Sequence, residues 1–202
     1  MTEAEEWGAV REALRAEGVD PTDLARFVNR PHPGLPGFEP EQFDARRAYP
    51  VLLAWLPRVE SRAVRETLAR RIAQVGKSST SAQALIATYG ARPSWAIGDA
   101  IARTMTPAEH DAVVDLATDK SAGAERQMLV YALWRVKSPR ARSLILELLD
   151  DPTVCTHAMY SLRRVFGNDE AERRLEPLRE HPDEHVRAAA REALKRISRA
   201  RA

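Results

Sequence analysis

An all-α fold of stacked helical hairpins is what this sequence predicts, on three observations. First, the stretch Val186 to Ile197 (VRAAAREALKRI) can be laid without gaps over four earlier ones, starting at Val64, Pro93, Glu125 and Val154. Self-similarity at a fixed period decides the architecture before any local reading. Second, counting the first residue of each copy as zero, offsets 4, 8 and 11 form one stripe, as in Leu68, Ile72 and Val75 or Leu129, Leu133 and Val136. That is helical spacing with a single buried side. Third, the copies start at 64, 93, 125, 154 and 186, steps of 29 or 32 residues, which is room for two helices and two turns. Such a hairpin cannot bury its stripe alone. About five of them stack into a right-handed α–α superhelix.

In chain order, Thr2-Glu3-Ala4-Glu5 is a capping box opening a helix with Trp7, Val10 and Leu14 that ends at Gly18. Asp20-Pro21 starts a shorter helix with Leu24, Phe27 and Val28. This pair does not match the repeat and reads, with the Pro/Gly-rich loop Pro31–Pro40, as an N-terminal cap over residues 1–40; the solenoid follows over 41–202 as one continuous domain. Leu35 and Phe38 favour a loop packed on the surface, a partner-binding loop being the alternative. Glu41 to Leu56 resumes helix, with Pro50 starting a new helix or kinking this one and Pro57 closing it. Lys77–Ser81 caps a helix through Leu85 and Tyr89 that stops at Gly90. Thr106-Pro107-Ala108-Glu109 is a second capping box, leading to Val113, Val114 and Leu116, and Ser138-Pro139 does likewise for Leu144, Ile145 and Leu148. Gly167-Asn168-Asp169 opens the last first helix, Glu170 to Arg179.

The turns before the copies carry their own signal. His181-Pro182-Asp183-Glu184-His185-Val186-Arg187 places proline and carboxylates at a helix start, and Asp150-Asp151-Pro152-Thr153-Val154 repeats the device. The run D/P-x-x-x-V-R followed by A-x-x-A-L-x-x-I resembles the second helix of a HEAT-like repeat of the short bacterial kind, best over Pro182 to Ile197. The resemblance runs from about Arg47 to the C-terminus; the copy at Pro93 lacks the Val-Arg pair and the one at Glu125 lacks the proline. It implies a binding superhelix and carries no catalytic residue.

Composition narrows the function. The 202 residues hold no run approaching the roughly 20 apolar residues of a membrane span, and the acidic start MTEAEEWGAV is not a signal peptide, so a cytoplasmic protein without membrane contact is expected. A single cysteine, Cys155, excludes an intramolecular disulfide and a multi-cysteine zinc site, and reads as a small helix residue rather than a nucleophile. His181 and His185 are spaced i, i+4, but Pro182 puts His181 outside the helix, so no metal and no cofactor is expected. A net charge of +2 gives no bulk electrostatic case for nucleic acid. Only four of the 31 cationic residues are lysine, leaving many arginines suited to planar, bidentate contacts.

Function then falls on the face opposite the stripe. At about 100° per residue, offsets 2, 6 and 10 point away from the core, toward the concave groove of the superhelix. There the second to fifth copies place Trp95, Asp99, Arg103, Tyr131, Arg135, Tyr160, Arg164 and Arg196, flanked at offset 9 by Trp134 and Arg163. Tyr, Trp and Arg supply most hot-spot energy, so these ten residues are the candidate site of a non-catalytic module binding a protein or peptide. The competing reading of the arginine column is that cations near a helix C-terminus complement the macrodipole. The alternative function is nucleic-acid binding: some HEAT-like proteins resemble alkylpurine DNA glycosylases, which Trp95, Asp99, Arg103 and Tyr131 imitate most nearly, though Glu66, Asp99 and Glu192 interrupt the positive surface such a cleft needs. A lyase or immunity-type scaffold is a further possibility that no residue selects. Offset 7 reads Ala100, Ala132, Ser161 and Ala193, small residues that let neighbouring helices approach.

Overall fold

Short polar residues at the expected breaks cap the helices. In the computed structural model, which describes residues 1–25 and 43–200, Thr2 and Glu5 form the reciprocal box at the start of α1 (Glu3–Ala16). Gly18, at φ 69°, ends it: the Gly18 N–H donates to the Arg15 carbonyl and the Val19 N–H to that of Leu14, a Schellman closure that needs a left-handed residue. Asp20 accepts from Thr22, but residues 22–25 form a turn rather than the start of a helix. Phe27, Val28 and the loop Pro31–Pro40 lie outside the described residues. Asp44 caps α2 (Ala45–Trp55), one helix with Pro50 inside it rather than two helices. Ser61, Ser78 and Ser94 cap α3 (Arg62–Gln74), α4 (Ser79–Ala91) and α5 (Trp95–Thr104).

The Thr106 box forms, but it opens a 3₁₀ turn, Pro107–Glu109, ahead of α6 (His110–Thr118). The third copy departs furthest from expectation. It is a 3₁₀ segment (Lys120–Arg126), a short α7 (Gln127–Ala132) and a second 3₁₀ turn (Leu133–Arg135). This is the copy without the proline, and no side chain caps α7, so its first turn lacks the anchor that fixes α geometry elsewhere. α8 (Pro139–Glu147) is capped by Ser138. α9 (Cys155–Leu175) is broken at Gly167 (φ 80°, ψ 175°), the expected position, so its two halves belong to successive hairpins. It stops at Leu175 rather than Arg179, because Pro177 has no N–H for the helical ladder and starts a 3₁₀ turn, Pro177–Glu180. α10 (Glu184–Arg199) closes the chain, capped by Asp183.

These elements form two layers. The second helices α3, α5, α7, the first half of α9 and α10 pack one on the next, while α4, α6 and α8 form the other layer, each against its hairpin partner. α1 packs on α2 and α3. This is an all-α solenoid, with no strand among the described residues. Most of the stripe is buried: Leu68, Ile72, Ile97, Ile101, Leu129, Leu133 and Leu162 have no exposed surface, while Val75, Val165 and Leu194 are half-buried, and burying each such fully buried side chain is worth about 1.5–3 kcal/mol.

Offset 7 explains how the layer is spaced. Ala100, Ala132 and Ser161 are buried, and the Ser161 hydroxyl reaches the carbonyls of Val130 (2.9 Å) and Tyr131 (3.0 Å) on the preceding helix. In the first copy the same position is Arg71, fully buried where no earlier repeat stands. Its Nε donates to the Leu24 carbonyl at 2.9 Å, another N–H meets the Asp23 carbonyl, and the guanidinium lies 4.7 Å from the Phe43 ring. Burial lowers its pKa to about 10, still cationic at neutral pH.

Candidate functional site

The face opposite the stripe is open along the layer: no residue at offsets 2, 6 and 10 is buried in any of the five copies. Trp95, the first residue of α5, is 41% exposed, the one large apolar side chain besides Met1 so exposed among the described residues. Its position is fixed from both sides. The Trp95 N–H donates to Glu125, whose other carboxylate oxygen takes Arg62 at 2.8 Å. Glu66 accepts from Arg62 and from the Ser94 hydroxyl, both at 2.8 Å. Burial opposes ionisation of Glu66 most strongly, yet Ser94 and Arg62 together hold its pKa below the ordinary carboxylate value. The result is a polar strap across three hairpins, none of whose members except Trp95 belongs to the expected site.

Further along, Tyr131 and Tyr160 stack with ring centroids 4.4 Å apart and planes 23° apart. Arg164 donates to the Tyr160 hydroxyl from Nε (3.2 Å) and Nη2 (2.9 Å) and lies 5.1 Å from the Trp134 ring. Hydrogen bonding by the Tyr131 hydroxyl, with help from Arg164, lowers the Tyr160 pKa. Trp134, Tyr131, Tyr160 and Arg164 therefore form one cluster bridging α7 and α9, as expected of neighbouring copies.

The arginine column is not a free ladder. Arg103 pairs with Asp99 (2.8 Å) and Arg196 with Glu192 (3.0 Å), each one turn back on its own helix. Arg135 gives an N–H to the Ala102 carbonyl at the end of α5, tying two hairpins together. Such exposed i, i+4 pairs are worth only about 0.3–0.5 kcal/mol, but they neutralise the face. Arg163 is different: it has no hydrogen-bond or ion-pair partner among the described residues, and with Tyr160 and Arg196 it lines a small pocket between α9 and α10. The ten expected residues thus divide into an aromatic cluster with Arg164, the couple Asp99–Arg103, Arg196 paired with Glu192 from outside the ten, the inter-hairpin tie Arg135 and the unpaired cation Arg163, with Trp95 exposed at the N-terminal side.

Residues 110–195 match the family model for HEAT repeats. This stretch carries HEAT repeats. It runs from α6 into the last turns of α10, so three of the five hairpins lie in the match and Tyr131, Trp134, Tyr160, Arg163 and Arg164 sit on HEAT second helices. Comparison with curated proteins and with solved structures finds no match. The HEAT segment also contains a buried ion pair: Arg126, 1% exposed, meets Asp151 and gives a second N–H to the Ala117 carbonyl at 3.1 Å. Burial opposes ionisation of Asp151, but Arg126 and the Thr153 N–H hold its pKa down. Cys155 is fully buried beside it, and burial raises its thiol pKa, against a nucleophile. His181 stands outside α10, accepting from the Asp183 N–H at 3.0 Å, while His185 lies within the helix; among the described residues no group of three metal-ligating side chains comes together. No helix among them is long and apolar enough to cross a membrane.

Proposed function

We propose that this chain is a non-catalytic interaction module whose second-helix face, the inside of the superhelix, binds a protein or peptide. The supporting observation is Trp95: an indole 41% exposed, on a backbone held by Glu125, is an apolar anchor left open among the described residues. The Tyr131–Tyr160 stack, with Trp134 beneath Arg164, supplies a second anchor on the same face, and Arg163 a cation free to meet a partner carboxylate. The self-pairing of Arg103 and Arg196 removes the continuous positive track that nucleic acid would need. In this reading residues 1–40 cap the first hairpin.

The test is capture of partners on immobilised protein, with and without nuclease and at low and high salt, comparing wild type with Trp95→Ala and Tyr160→Ala. A discrete protein retained through nuclease and moderate salt by wild type, and lost from both variants, is the expected result. Recovery of nucleic acid alone, lost as salt rises, would overturn the reading.

A further inference from the structure

A cleft of about 640 Å³ opens where the third hairpin ends and the fourth begins. Lys137 from the connection, Arg142 from α8 and Arg164 from α9 line it, and no acidic side chain does. Arg142 rests 5.7 Å from the Phe166 ring and Arg164 5.1 Å from that of Trp134, so flat apolar surfaces hold both guanidiniums. The Lys137 and Arg142 side chains have no hydrogen-bond or ion-pair partner among the described residues, so neither is engaged with the carbonyl ends of nearby helices. The nine-residue α8 also begins here, adding the positive end of its dipole.

We propose that this cleft binds the phosphoryl group of a phosphorylated side chain. Three cations and a helix N-terminus suit a dianionic oxyanion with several acceptor oxygens; a carboxylate would leave two of the cations uncompensated. A nucleic-acid backbone fits less well, because on the face beyond the cleft Arg103 and Arg196 pair with Asp99 and Glu192 and interrupt a continuous positive track. The protein nature of the ligand rests on the function proposed above; the anion site does not.

The test is a titration at constant ionic strength, followed by calorimetry and tryptophan fluorescence, of inorganic phosphate, a phosphoserine peptide, its unphosphorylated twin and a single-stranded oligonucleotide. The phosphopeptide is expected to bind roughly tenfold tighter than its twin, to be displaced by phosphate, and to weaken below about pH 6 as the phosphoryl group loses its second charge. Lys137→Ala combined with Arg142→Ala, both exposed positions, should cost roughly tenfold or more in affinity while leaving the melting curve in place. Trp134→Phe, which keeps a ring under Arg164, should cost less. Phosphate bound as tightly as the peptide, and weakened by the double variant, supports the anion site with free phosphate as its occupant. Equal binding of the two peptides without phosphate binding, or full phosphate affinity in the double variant, overturns the proposal, as does an oligonucleotide that outcompetes the phosphopeptide and is released steeply by salt. Inorganic phosphate makes no use of Trp95, so failure here and failure of the capture experiment are separate results.

Discussion

The open face and the cleft at its edge hold the same kind of cation in opposite circumstances. On the face, Arg103 and Arg196 find Asp99 and Glu192 one turn away on the same helix, so their charge is matched locally whatever the neighbouring hairpins do. In the cleft, Lys137, Arg142 and Arg164 arrive from three different elements and meet no carboxylate. Charge carried within a helix is neutralised by spacing alone, whereas charge gathered by tertiary packing is left for a ligand. The difference explains how a chain of net charge +2 can hold a strongly positive site without a positive surface.

The most severe way to break this comparison is to remove the packing under both regions. Leu133, fully buried next to Trp134, should cost about 2–5 kcal/mol on replacement by alanine in chemical denaturation, and phosphate binding should fall with it. A sharper cut separates the two kinds of arginine. Arg135→Ala removes the donor to the Ala102 carbonyl and should cost about 1–3 kcal/mol, whereas Arg103→Ala, on an exposed pair, should cost under about 0.5 kcal/mol. Equal costs would show that the tie between hairpins contributes nothing.

His157 on α9 provides a handle on pH. Burial lowers its pKa from the ordinary histidine value of 6.5, so the unfolded chain binds the proton first. Its contribution is complete above about pH 6.5 and is lost as pH falls through the lower folded-state value, so melting temperature should drop over that window and His157→Gln should flatten the drop. Tyr160→Phe should be milder still in stability, about 0.5–1 kcal/mol, but it removes the acceptor that occupies two Arg164 N–H groups and should tighten phosphate binding in the cleft. The smallest effect on folding is expected from Asp99→Asn with Glu192→Gln. Stability should change by under about 0.5 kcal/mol, while the unmasked arginines should give the face a salt-sensitive affinity for oligonucleotides that wild type lacks.

Much of the architecture was legible because the repeat is gapless. The alignment of Val186–Ile197 on earlier copies placed α3, α5, α9 and α10 and their buried stripe, and the angular argument picked positions that are all open. The pairings on the face follow from the same spacing, offsets 6 and 10 being four residues apart, and they replace the free arginine column expected from the sequence: Asp99–Arg103 and Glu192–Arg196 are ion pairs and Tyr160–Arg164 is a hydrogen bond. What sequence could not supply were contacts closed over long separations. Glu6 accepts from the N–H groups of Glu60 and Ser61, Arg126 meets Asp151, and Glu125 joins Arg62 to Trp95. No periodicity announces the partners Glu6, Asp151 and Glu125, although Arg126 shares its offset with Arg65 and Arg187. The cleft was hidden for the same reason, needing Lys137, Arg142 and Arg164 to be seen together.

Arg71 has a consequence for assembly. A modular stack whose every second helix offered a small residue at that position would present, at its first repeat, a seat for the last repeat of another molecule, and head-to-tail association of that kind does not close but runs on into a fibre. At this end of the chain the seat is occupied by a guanidinium already bonded to the backbone at Asp23 and Leu24. One residue thus fills, at the first second helix, the space that a small side chain leaves for a neighbouring helix further along the stack.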